Sequence, residues 1–164
     1  MFKKILAAVA AVFALTLAAS AASATAGPDL SVTRVNYNAV GADTAANRWQ
    51  EAIYLKASSD LSEPLDISGW KVHDTYANAD GDHTNAYTFP AGTVVKAGGT
   101  VVVSSAAGVN KTDPNSTQVY YMDFKRGYNG HWLNNGGDTV YVEKAGGDQV
   151  TKLVYDFDNG YYVR

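Results

Sequence analysis

The chain is 164 residues long, with 46% apolar, 18% charged and 12% aromatic side chains, a composition that builds a core and excludes a disordered polypeptide. Thirteen Lys and Arg against sixteen Asp and Glu leave a formal charge of −3, which offers no grip on phosphate backbones, so no nucleic-acid partner is expected. The absence of cysteine removes disulfides, thiolate zinc sites, iron–sulfur clusters and cysteine nucleophiles together.

The chain opens on a short basic stretch, Met1 to Lys4, followed by an apolar run from Ile5 to Leu17 interrupted only by Thr16. Thirteen residues fall short of the roughly 20 that a membrane helix needs, and small residues follow, so residues 1–26 read as a cleavable signal peptide. Two Ala-x-Ala patterns place the peptidase cut after Ala24 or Ala26, with Ala26 favoured. The mature chain then runs from Gly27 to Arg164 as one domain, residues 27–164, with eleven basic against sixteen acidic groups, a balance of −5. No second apolar span follows, so the expected location is outside the cell, secreted or held at the cell surface.

Beyond Gly27 the apolar residues recur every second position, and β-branched and aromatic types crowd those stretches, which predicts strands. In chain order they are Leu30 to Tyr37, Glu51 to Lys56, Trp70 to His73, Tyr87 to Phe89, Val94 to Val95, Thr100 to Ser104, Gln118 to Met122, Thr139 to Lys144 and Gln149 to Asp156. Ile53 and Leu55 alternate with Ala52, Tyr54 and Lys56, as Val101 and Val103 do with Thr100, Val102 and Ser104, so each strand should have one core face and one wet face. Gly146-Gly147-Asp148 between two alternating runs predicts a hairpin, and Pro90-Ala91-Gly92 and Ala97-Gly98-Gly99 mark two more turns. Polar loops are expected over Asn38 to Arg48, Asp74 to Asn85 and Ser105 to Thr117. The fold class is all-β, an antiparallel sandwich.

Several segments also resemble a known family. In order they are Glu51-Ala52-Ile53-Tyr54-Leu55, Leu65-Asp66-Ile67-Ser68-Gly69-Trp70, Phe89-Pro90-Ala91-Gly92-Thr93, Lys96-Ala97-Gly98 and Trp132-Leu133-Asn134-Asn135-Gly136-Gly137-Asp138-Thr139-Val140-Tyr141-Val142. The series resembles the lamin tail domain, the immunoglobulin-like module of nuclear lamins that also occurs in secreted bacterial proteins. The resemblance implies an immunoglobulin-like sandwich and a role in adhesion or targeting by non-covalent binding. From the residues themselves, Trp70 should fill the space between two sheets, and Asp138 should fold its carboxylate onto nearby backbone N–H groups rather than act in catalysis.

No motif for catalysis appears: there is no Gly-x-Ser-x-Gly elbow, His-Glu-x-x-His helix or phosphate loop. His73, His83 and His131 lie far apart in sequence and read as exposed loop histidines rather than zinc ligands, so no catalytic, metal or cofactor residue is assigned. Asp74, Asn78, Asp80 and Asp82 make an oxygen-rich loop around Gly81, but Tyr76 stands where an EF-hand needs oxygen, and whether the loop takes calcium is left open. Eleven tyrosines, with pairs at Tyr120-Tyr121 and Tyr161-Tyr162, must point partly outward and suit a surface for carbohydrate or protein. The expectation is therefore a monomeric exported binding module for an extracellular protein or polysaccharide. A matrix or coat subunit, and a calcium-dependent or weakly catalytic hydrolase-like protein, are the alternatives.

Overall fold

A computed structural model describes residues 27–75, 85–124 and 131–156 and the backbone of the strand at 161–163. The expected signal peptide and its expected cleavage site, Asn78, Asp80, Asp82, His83 and the side chains of Tyr161 and Tyr162 lie outside the described residues. Strands dominate. In chain order they are β1 (Leu30–Asn36), β2 (Ala52–Ala57), β3 (Leu65–Asp66), β4 (Lys71–His73), β5 (Tyr87–Thr88), β6 (Val94–Val95), β7 (Thr100–Ser104), β8 (Gln118–Tyr121), β9 (Gly137–Glu143), β10 (Gln149–Asp156) and β11 (Tyr161–Val163). A 3-10 turn, Arg48–Gln50, precedes β2.

Nine of these strands coincide with the sequence reading, three of them (β6, β7 and β10) at both ends and the rest with ends displaced by one or two residues. β3 and β11 were not anticipated. Among the described residues the strands form a five-stranded sheet ordered β11-β1-β2-β7-β8, a four-stranded sheet ordered β10-β9-β4-β5, and a separate β3-β6 pair. The pairings are antiparallel except β7 with β8, which run parallel from Val101 opposite Gln118 to Ser104 opposite Tyr121. A parallel neighbour needs a crossover, and residues 105–117 supply it. That connection folds back beside β8 through reciprocal Lys111 and Val119 backbone bonds of 2.8 and 2.9 Å, and it passes so close to the Tyr121 ring that a Cβ at Gly108 would sit 2.6 Å from it. The passage closes the outer edge of β8, which would otherwise invite pairing with another chain.

Both large sheets turn their apolar faces inward. β1 begins with Leu30 and Val32 inside, and a bulge between Val32 and Arg34 shifts its phase. The extra residue sends Val35 and then Tyr37 inward and leaves Arg34 outside, over the Tyr54 ring at 5.0 Å. Opposite, Val72, Val140, Val142, Leu153 and Tyr155 close the core, and Tyr37 stacks on Tyr155 with centroids 4.6 Å apart. Trp70 immediately precedes β4 rather than opening it, and it is 7% exposed. Its N–H donates to the Ile67 carbonyl and its carbonyl accepts from Phe89 N–H, so the indole is held in the core as expected, where its burial contributes about 3 kcal/mol.

The outer face of β2 is wet at Lys56, but Ala52 on that face and, on β7, Val102 and Ser104 are buried, contrary to the expected alternation. β7 is an interior strand of its sheet, and Val102 lies in register between Tyr54 and Val119, bulky neighbours that exclude water from its outward side. The hairpin at Gly146-Gly147-Asp148 forms as read, closed by Lys144 N–H to the Asp148 carbonyl at 2.8 Å. Among the described residues no helix is long and apolar enough to cross a membrane.

Candidate binding surface

The strand ends at Asn36, Ala52, Ser104 and Tyr121 fall in one row across the five-stranded sheet. The loop between β1 and β2 is therefore seated at this end of the sandwich, beside the segments that follow β8 and precede β9. Ordinarily a polar loop of this length is loose, yet here its own side chains fix it. Asn47 Oδ1 accepts from the Thr44 backbone N–H at 2.8 Å and from its hydroxyl at 2.9 Å, while Asn47 Nδ2 donates to the Val40 and Ala42 carbonyls. Gln50 Oε1 accepts from Val40 N–H at 2.7 Å. Short amide side chains satisfying local backbone groups are what stabilise such turns.

The loop is also tied to its neighbours. Arg48 donates to the Phe124 carbonyl at 2.8 Å and pairs with Asp123 at 3.1 Å, and Ser105 donates its hydroxyl proton to the Arg48 carbonyl at 2.6 Å. Asp123 reaches this position with a φ of +47°, the left-handed region that Asp tolerates better than most residues. Between the fixed Arg48 and Gln50, Trp49 points outward and is 63% exposed. Val40, on the same loop, is also exposed.

Beneath the loop sits a buried pair of a carboxyl group and an imidazole. Glu51, 1% exposed, takes the Trp132 and Leu133 N–H groups on Oε2 at 2.6 and 3.3 Å. Its other oxygen lies 3.0 Å from His131 Nδ1, and among the described residues neither of these two atoms makes a hydrogen bond. His131 Nε2 meets the Thr44 carbonyl at 3.1 Å. Asp43 is 3.9 Å from Nδ1 and accepts from Asn135 at 3.3 Å. Burial raises the Glu51 pKa, while the two backbone N–H groups and His131 pull it back.

A second polar group lies on the outer face of the four-stranded sheet. His73 faces Tyr141 in register and stacks on it at 5.2 Å. Its Nδ1 donates to the Asp74 carbonyl at 2.7 Å, and its Nε2 lies 3.4 Å from Glu143. Asp74 accepts from Asn85 at 3.1 Å, and Thr75 donates to Asp138. Asp138 Oδ1 also takes its neighbour's N–H, Thr139, at 2.6 Å, so its carboxylate binds backbone as expected. The tight turn just before it is closed instead by Asn134, which accepts from Gly136 N–H.

The Lamin Tail Domain family model matches residues 23–156. The chain belongs to the lamin tail domain family. No curated protein matches it.

In this lamin tail domain the histidines depart from the sequence reading. His73 and His131 are 1% and 7% exposed, buried partners of carboxylates rather than exposed loop residues, because the strand and loop that carry them are packed under neighbouring segments. The structure does not bring the two together. Among the described residues no three His, Asp or Glu side chains converge to hold a metal. Of the proposed calcium loop only Asp74 is described, and it is buried with Asn85 as a partner.

The tyrosines divide as expected at Tyr120 and Tyr121, the first buried and the second half-exposed. Tyr120 donates to Gln118 Oε1 inside the core at 2.8 Å. Burial pushes the Tyr87 hydroxyl up to about 12 and raises Tyr155 as well, with Asp138 adding to the latter. The described tyrosines are thus chiefly packing groups. The sequence reading missed Trp49 and the Glu51–His131 pair. An aromatic inside a polar loop was a visible signal for the first, whereas the second joins residues 80 positions apart and left no local trace.

Proposed function

We propose that this lamin tail domain is exported and acts at the cell exterior as a non-catalytic recognition module that grips polysaccharide through the Trp49 loop. The single supporting observation is a largely exposed indole carried on a loop whose backbone is already fixed by side-chain hydrogen bonds. A rigid aromatic anchor loses little freedom on binding, and so retains more of its contact energy. Export is supported by the basic start, the thirteen-residue apolar run and the Ala-x-Ala pattern at the N-terminus.

Carbohydrate is favoured over protein because the exposed large apolar side chains among the described residues, Val40, Trp49, Val109 and Val154, are few and divide over two loops and β10, with Trp49 the aromatic among them. A protein interface uses a contiguous apolar centre, whereas a sugar ring stacks on one indole and takes hydrogen bonds from nearby hydroxyl and amide groups, such as those of the exposed Thr44 and the half-buried Gln50.

Pull-down of the mature protein on insoluble cell-wall and plant polysaccharides tests this. Retention by at least one polysaccharide, reduced about fivefold or more by Trp49→Ala, the loss that follows from removing about 1 kcal/mol of aromatic contact, supports the reading. Retention that Trp49→Ala leaves unchanged moves the site elsewhere, and failure across the panel removes carbohydrate as the ligand class. Mass spectrometry of exported material should find Gly27 as the first residue.

A further inference from the structure

We propose that the Glu51–His131 pair is a proton-dependent latch on the Trp49 loop, closed while the two side chains share one proton and released as that proton is lost with rising pH. The inference rests on the reading of that loop as the recognition surface and adds its regulation.

The geometry fixes the proton count. The Thr44 carbonyl, 3.1 Å from His131 Nε2, can only accept, so Nε2 must carry hydrogen. Nδ1 faces Glu51 Oε1 at 3.0 Å, and that contact also needs a proton, on either atom. A neutral imidazole has one N–H. It can satisfy Thr44 or an ionised Glu51, never both. If the shared proton leaves, a carboxylate faces a nitrogen lone pair, or Nε2 faces a carbonyl without hydrogen. Burial of both side chains keeps water from repairing either arrangement.

The surroundings favour holding the proton. Asp43 faces Nδ1 from the loop at 3.9 Å, and Tyr155 faces the pair from β10, its hydroxyl accepting from Asn134 N–H. Asp74 and Asp138 act on Tyr155 from the four-stranded sheet. Arg48, on the same loop, is paired with Asp123. The raised pKa of Glu51 agrees with a site that resists deprotonation.

Opening the loop hydrates both groups, and a solvated imidazole is neutral above about pH 6.5. Opening therefore releases one proton, and the opening constant rises by up to about tenfold per pH unit in that range. The loop segment lost first is the one that holds Thr44, and with it the Asn47 bonds that frame Trp49.

Amide hydrogen exchange by NMR on the mature protein, between pH 5.5 and 9 and without ligand, reads the latch directly. After correction for intrinsic exchange, opening constants at Thr44, Asn47 and Trp132 should climb at least about tenfold from pH 6.5 to 8.5, while amides in the β9–β10 ladder stay level. Glu51→Gln should reverse the sense. Its carbonyl can accept from Trp132 and Leu133, and its amide can donate to Nδ1 of a neutral imidazole that still holds Thr44. That variant should stay closed at pH 8.5 and loosen on acidification, when Nδ1 gains a hydrogen facing the amide.

A flat profile in the wild-type protein overturns the latch even if the variant fails to fold, and so does a Glu51→Gln profile that follows wild type. Because exchange is measured without ligand, a failed polysaccharide pull-down leaves the latch result standing, and a flat exchange profile leaves the binding result standing.

Discussion

Glu51 joins the loop before β2, which carries it, to the distant turn at Trp132 and Leu133, and through His131 that turn reaches back to the Thr44 carbonyl of the same loop. Replacing it with Ala strands two buried N–H groups and an imidazole at once. Loss of one partner from a buried ion pair costs about 3–5 kcal/mol, and urea unfolding of Glu51→Ala should show a loss of that size. Glu51→Gln should cost much less. The pH dependence has a definite sign. The folded-state pKa of Glu51 is raised from 4.5, so its contribution to stability is fully present below that value and falls as pH rises through the raised one. Melting temperatures of Glu51→Gln should decline less than those of wild type from pH 4.5 upward.

Elements built on local patterns were legible in the sequence. β2 alternates from Ile53 to Ala57, and Gly146-Gly147 marks the β9–β10 turn, so both could be read from spacing alone. β3 and β11 could not, because two or three residues carry no period, and each is defined by a partner some 30 residues away or at the opposite end of the domain. The phase change in β1 is visible afterwards as Leu30 and Val32 followed by Val35 and Tyr37, but a bulge is needed to make sense of it.

Two glycines show how element geometry sets the cost of a change. Gly147 has a φ of +90° in open space, whereas Gly137 has a φ of +100° and a Cβ there would meet the Tyr155 carbonyl oxygen at 3.0 Å. Gly147→Ala should cost about 1 kcal/mol from backbone strain alone. Gly137→Ala adds a clash with backbone at the start of β9 and should cost at least twice as much, as thermal denaturation of the two variants can compare.

At the scale of the whole molecule the sandwich is assembled from distant pairings, and β1 sits between β2 and β11, the last strand. Cutting the chain after Asp156 would remove β11 and leave the backbone of Arg34, Val35 and Asn36 without its ladder. An uncovered edge recruits another chain, so the truncated protein should elute as larger species than the intact protein, with a steeper concentration dependence in light scattering. Family membership and architecture were thus within reach of the sequence, since motif order and alternation are local records of a global plan. The parallel β7–β8 pairing was not, because direction depends on where a loop returns.

The β1–β11 pairing also gives the domain a polarity. The chain enters at Leu30 and, by the register of Val163 with Arg34, leaves heading toward that same pole, whereas Trp49 lies beyond the opposite end of β1. Anything joined to either terminus, whether a tether, a fusion partner or a sensor chip, would hold the sandwich upright with its indole facing away from the support. Attachment chemistry at the two ends should therefore be interchangeable.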